Sequence, residues 1–181
     1  MNSLAYQFIA DHYGDRTAKR SGIPLINHID EGVELLEASG ADEMVVDAFC
    51  LHPLFQDKEV FNTILRKNTP NLSTLPVQCV ILAVEYRTIA NGYLPKDYRT
   101  ATDKIRLSDV PEVNLMLLAD KFQNQRAFRA TKDLYPNADI LEKYFVRWIE
   151  LLVPELARSD TDIAEQCATM LNVMESYDAA T

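Results

Sequence analysis

Three residues of this sequence pair metal-binding chemistry with inward placement: His28, His52 and Asp120. Imidazole and carboxylate together suit a divalent transition metal such as Mn, Fe, Co, Ni or Zn. His28 stands three residues after Leu25 and four before Gly32, on the edge of an apolar stripe completed by Ile29, Val33 and Leu36. His52 follows Ala48 by four residues and so continues the buried side that Val45, Ala48 and Phe49 define. Asp120, within "EVNLMLLADKFQNQR", lies three positions after Leu117 and four after Met116, with Asn124 one turn further on the same side. A buried carboxylate without a partner is costly. Two readings therefore stand: the three side chains converge on a cation, or each histidine donates to a backbone carbonyl of the core while Asp120 pairs with a lysine or arginine.

The elements that must position these residues read as helices. The chain of 181 residues has only five glycines, eight prolines that mostly punctuate periodic segments, and no long alternating stretch. The periodicity predicts about eight helices, near residues 3–15, 25–38, 42–52, 58–67, 76–91, 111–133, 138–157 and 160–176. The expected architecture is an all-α bundle forming a single domain over 1–181, with no repeat or linker. Its last two helices, about 138–178, carry packing stripes: Leu141, Tyr144, Phe145, Trp148, Leu151 and Leu152 on one, and Ile163, Cys167, Met170, Leu171 and Met174 on the other. Ser159 with Asp162 has the spacing of a capping box before the eighth helix. Pro53 should end the third helix near His52, because proline lacks an N–H and biases its predecessor away from helical geometry.

Composition narrows the partners. A net charge of −9 opposes a phosphate backbone, so nucleic acid is not expected, although a local phosphate pocket is compatible with it. No stretch reaches the roughly 18 apolar residues of a membrane span, and "MNSLAYQFIADHYGD" lacks the pattern of a signal peptide, so the expected location is cytoplasmic. Cys50, Cys79 and Cys167 lie in apolar helical patterns with wide spacing and read as buried thiols.

The segment "RSGIPLINHIDEGVELLEASGADEMVVDAFCLHPLFQD" resembles the opening of HD-domain phosphohydrolases, in particular the RelA/SpoT and Mesh1 branch of alarmone hydrolases. That branch reads as a basic residue, Ser-Gly-x-Pro-Tyr-Ile, a histidine, a helix, a Gly-x-Asp turn and Leu-Leu-His-Asp-x-x-Glu-Asp. Further on, "LLADKFQNQR" is similar to its Leu-Ala-Asp-Arg-x-x-Asn-x-Arg segment. The resemblance covers roughly residues 5–130. It implies an HD-type helical bundle, a divalent metal held by His28, His52 and Asp120, and hydrolysis of a nucleotide or an alarmone such as (p)ppGpp. Small proteins of this look occur in bacteria and their phages, and a homo-oligomer is compatible with the pattern.

The departures from the pattern matter as much. The aspartate that gives the family its name falls on Pro53, which has no donor. In the Glu-Asp pair that assists water activation, the glutamate falls on Gln56, a neutral side chain that cannot take up a proton, whereas Asp57 is retained. Asp57 is equally suited to cap the helix that starts at Lys58. Transfer of the family's substrate contacts falls on Arg20, Lys121, Asn124 and Arg126; a planar guanidinium suits phosphate oxygens, and each of these residues has an alternative as a solvated or ion-paired side chain. His12 reads as a packing or surface residue. The tyrosine-rich stretch 86–100 reads either as a substrate loop or as a locally packed surface loop. Three functions stay in view: a metal-dependent phosphohydrolase of reduced activity, a degenerate nucleotide-binding or regulatory and protein-interaction module, and a helical interaction protein without a ligand.

Overall fold

A computed structural model describes residues 3–19, 21–67, 72–92 and 102–179. The protein is all-α: among the described residues there are eight α-helices and no strand. They are α1 (Leu4–Tyr13), α2 (Ile26–Ala38), α3 (Glu43–Gln56), α4 (Lys58–Lys67), α5 (Val77–Asn91), α6 (Pro111–Ala130), α7 (Ala138–Leu156) and α8 (Thr161–Ala179). No described helix is long and apolar enough to cross a membrane.

Local chemistry sets many of the ends. Ser3 Oγ accepts the Tyr6 amide at 3.1 Å and starts α1. Asp57 Oδ1 accepts the amides of Glu59 and Val60 at 2.8 and 3.0 Å and starts α4. Pro111 occupies the first turn of α6, where a missing N–H costs nothing. The start of α8 differs from the capping box expected at Ser159: Asp160 Oδ1 takes the Ile163 amide at 3.0 Å, and Ser159 Oγ donates to the Glu155 carbonyl of α7. A carboxylate is the better acceptor at the positive end of a helix, so the residue one place later wins.

The third helix also departs from expectation. It continues through Pro53 to Gln56 rather than ending near His52. The carbonyl that Pro53 leaves without an amide is that of Phe49, and His52 Nδ1 donates to it at 2.6 Å. The final turn is held from α5, where Arg87 Nε donates to the Phe55 carbonyl at 2.7 Å and Asn91 Nδ2 to the Gln56 carbonyl at 3.0 Å. Side chains thus replace the backbone partners that proline and the helix end remove.

Two helices form the interior. α3 packs mainly on α5, with α1 and α2 beside it, and α6 packs mainly on α7, with α2 and α5 beside it. α6 is buried almost all round from Val113 to Gln123, as a central helix must be. Its polar residue Asn114 is satisfied by the Ser108 backbone on both sides of its amide. The stripes on α7 and α8 are buried through Leu141, Tyr144, Trp148 and Leu152 and through Ile163, Cys167, Met170 and Met174, whereas Phe145, Leu151 and Leu171 sit only at the rim of the core. All three cysteines are buried and free.

Close approach of α2 to α3 depends on Gly32, since a Cβ there would overlap the Phe49 ring. That ring in turn lies 4.7 Å from the His52 imidazole, centroid to centroid. Gly32→Ala is expected to cost about 1–3 kcal/mol through overpacking, read as a lower urea midpoint. Combined with Phe49→Leu, the loss should be smaller than the sum of the two single losses, because the smaller side chain makes room for the new methyl.

Candidate metal centre

α2, α3 and α6 bring His28, His52 and Asp120 together. One ligand atom from each lies within 4.8 Å of the other two. His28 Nε2 is 3.1 Å from Asp120 Oδ1, and His52 Nε2 is 3.8 Å from the same oxygen. The imidazoles meet nearly edge to face at a centroid separation of 5.5 Å. His52 and Asp120 are buried, while the His28 side chain is 22% exposed and is the member of the three that lines the neighbouring cavity.

Partners hold each group in place. His52 Nδ1 is committed to the Phe49 carbonyl, which leaves Nε2 of the neutral ring directed at the cluster. His28 Nδ1 meets Gln123 Oε1. Asp120 Oδ2 accepts Lys121 Nζ at 2.6 Å, and Asn124 Nδ2 donates at 2.8 Å to both Oδ1 and the main-chain oxygen of Asp120. Lys121 Nζ is also 5.3 Å from the centre of the Trp148 ring of α7. Tyr86, fully buried on α5, sets its ring tilted against His52, 4.7 Å away centroid to centroid. Its buried hydroxyl lies beside the Asp120 carboxylate. Burial, and after it the Asp120 charge, raise that phenol well above its usual range.

The electrostatics follow from these contacts. Burial favours the neutral acid of Asp120, but the Lys121 charge and the two histidines outweigh it and hold the carboxyl well below its usual range. Burial also disfavours charged His28, yet its hydrogen bond to Asp120 and the Asp120 charge dominate, so His28 is raised. His52, more deeply enclosed, is lowered by burial to about 3 despite Asp120, with His28 lowering it further. The cluster therefore holds one anion, one imidazole inclined to take a proton and one held neutral.

This donor set fits a divalent transition metal: two imidazoles and a carboxylate, with two of the three side chains buried and each held by a second partner. It also contains both features of the reading without metal, namely a histidine bonded to a carbonyl and an aspartate paired with lysine.

The cavity beside the cluster measures about 680 Å³. Its polar lining includes His28, Glu31, Lys121, Gln123, Asn124 and Arg126, and its apolar lining includes Ile23, Leu25, Phe128, Tyr144 and Phe145. Thus Lys121, Asn124 and Arg126, the candidate substrate contacts among the described residues, all face one cavity. Each has an internal partner: Lys121 and Asn124 bind Asp120, and Arg126 pairs with Glu31 while its guanidinium lies 4.8 Å from the Tyr177 ring centre. Arg20 lies outside the described residues, as does 93–100 of the tyrosine-rich stretch.

Gln56 and Asp57 do not line that cavity. The Gln56 carbonyl is bound by Asn91, and Asp57 caps α4; nearby His12 is lowered by burial and the Arg16 charge, with the Asp57 charge opposing them. Sequence reasoning passed over Glu31 and Gln123, placed Trp148 only in a packing stripe, and read Tyr86 as part of a loop, whereas it lies buried on α5. Glu31 and Gln123 lie three residues after His28 and Asp120, the helical interval that places side chains on one face; Tyr86 and Trp148 carry no local signal beyond apolar periodicity. The chain matches no protein-family model, no curated protein and no solved structure.

The two histidines should oppose each other in acid. His28, raised on folding, contributes stability that is complete below the usual 6.5 and is lost as pH rises through its folded value. His52, depressed on folding, contributes stability that is present above 6.5 and is lost as pH falls toward about 3. In metal-free protein, His28→Gln should therefore cost more stability at about pH 6 than at about pH 9, and His52→Gln less at about pH 4 than at about pH 7. Urea unfolding of both variants at these pH values checks the sign of each.

Proposed function

We propose that this chain is a metal-dependent phosphohydrolase of the HD type, acting slowly on a nucleotide or an alarmone. The observation that carries this reading is the convergence of His28, His52 and Asp120 donor atoms within 4.8 Å, one side chain of the three opening onto a cavity with room for a nucleotide. These three residues would hold a divalent Mn, Fe, Co, Ni or Zn ion. When bound, such an ion supplies Lewis acidity toward a phosphoryl oxygen and lowers the pKa of water.

The chain's own residues do the remainder. Lys121 and Arg126 offer positive charge to phosphate oxygens in the cavity, each by sharing a carboxylate partner it already has. Asn124 holds the Asp120 carboxylate to a fixed orientation. Phe128, Tyr144 and Phe145 supply an apolar surface for a base. Proton removal from the attacking water is the weak step, because Gln56 is not a base and Asp57 is committed to the start of α4. Loss of a positioned general base lowers turnover by about 10²–10⁴-fold.

The test is elemental analysis of protein purified without chelator, followed by phosphate and pyrophosphate release from a nucleotide panel with each metal. Bound transition metal and slow release that His28→Ala abolishes are expected, and Pro53→Asp, which restores a carboxylate, should tighten metal binding and speed release. Absence of both metal and release from the wild type overturns the proposal. The commitment of Asp57 to its capping role favours a second reading, a nucleotide-binding module without turnover. Calorimetric binding of nucleotide with no release, unchanged in Pro53→Asp, would select it.

A further inference from the structure

Among the described residues, Glu31 is the one carboxylate that lines the cavity. Its two oxygens are used unequally. Oε2 accepts both Gln123 Nε2, at 3.2 Å, and the Arg126 guanidinium, whereas Oε1 accepts from no described residue. Gln123 is buried, and the Tyr177 ring of α8 lies against the Arg126 guanidinium, so both donors are themselves held and fix the carboxylate by one oxygen. The Glu31 side chain is 33% exposed, and Oε1 is the atom left to meet whatever enters the cavity. Glu31 follows His28 by three residues, about 4.5 Å along α2. His28 meets Asp120 and Gln123 of α6, and Glu31 meets Gln123 and Arg126, so Glu31 stands one turn along the cavity wall from the charged cluster.

A carboxylate oxygen only accepts, so a ligand group seated against Oε1 must donate, and an anionic phosphate oxygen is repelled from it. Phosphate therefore belongs with Lys121 and Arg126, and a base with Phe128, Tyr144 and Phe145. What joins the two in a nucleotide is the sugar, whose hydroxyls are donors. We propose that Glu31 determines specificity by accepting a ribose hydroxyl through Oε1, so that the cavity takes ribonucleotides in preference to nucleotides whose sugar lacks hydroxyls. This rests on the nucleotide-binding part of the function proposed above and not on turnover. A guanidinium has five N–H donors, so Arg126 can keep Oε2 and still meet a phosphate. Entry of a ligand displaces the water that serves Oε1. A hydroxyl replaces that donor, whereas a sugar without hydroxyls leaves a partly buried anion short of one. A hydrogen bond to a charged acceptor corresponds to a preference of about 10–100-fold.

The experiment is calorimetric titration of the full chain with ADP and GDP, each against its 2′,3′-dideoxy counterpart, beside phosphate release from the same compounds with Mn²⁺. Wild type should bind the ribose forms about 10–100-fold more tightly than the dideoxy forms. Glu31→Ala should remove that preference. The ratio is the readout, because a guanidinium released from Glu31 changes the affinity of both compounds alike. Glu34→Ala removes the same charge from an exposed position one turn further along α2 and should leave the ratio intact. Glu31→Gln, whose oxygen Arg126 and Gln123 can still hold, presents an amide NH₂ in place of the anion and should lower the ratio, so the outcome does not depend on the alanine variant folding. A wild type without the preference, or a preference that survives in both Glu31 variants, overturns the proposal. Absence of nucleotide binding overturns it together with the nucleotide reading. The preference without phosphate release supports the Glu31 assignment and sinks turnover, whereas release without the preference sinks the Glu31 assignment alone.

Discussion

A carboxylate enclosed in a helical core dictates much of the architecture around it. Asp120 is only 4% exposed, and burial alone would drive it to the neutral acid. It stays ionised because Lys121 brings a charge to one oxygen while His28 and Asn124 serve the other. Removing one partner from such a buried set costs about 3–5 kcal/mol, far more than a surface pair. The demand fixes relative placement: α2 must present His28 and α3 must present His52 to the same turn of α6. The bare wall between α2 and α3 at Gly32, against which Phe49 packs, lets those two helices close to that distance.

Lys121 shows how the C-terminal helices take part. Consecutive residues on a helix point in different directions, so Lys121 does not reach Asp120 by position alone. Its side chain folds back to Asp120 Oδ2 with Trp148 of α7 over the ammonium. The packing stripe on α7 therefore does more than cover the core, since it encloses the cation that keeps Asp120 charged. Should a divalent ion enter, Lys121 and that ion would share one carboxylate, which gives the centre a built-in competitor for its own ligand.

Pro53 links the backbone to the same cluster. A proline within a helix removes one amide, and here the orphaned carbonyl is that of Phe49, one turn back. His52 supplies the missing donor, and by doing so directs its other nitrogen inward. In the proposed relation to HD phosphohydrolases, the substitution that deletes a ligand also ties down the neighbouring one. Gln123 does the equivalent for His28 from a different helix, so the two imidazoles reach similar orientations by unrelated means.

The sequence by itself determined the helical class, most helix positions and the inward faces of His28, His52 and Asp120, because apolar periodicity along a single helix is a local property. Tertiary structure alone decided the passage of α3 through Pro53, since its last carbonyls are served by Arg87 and Asn91 of α5, some thirty residues away. It also set the partners that Asp57, Lys121 and Arg126 take within the fold, whose types suit catalysis, phosphate binding and ion pairing equally well. Which use a polar side chain adopts depends on what lies within about 3 Å of its tip, the reach of a hydrogen bond. Neighbours at that distance come from other helices, and no spacing within one segment encodes them.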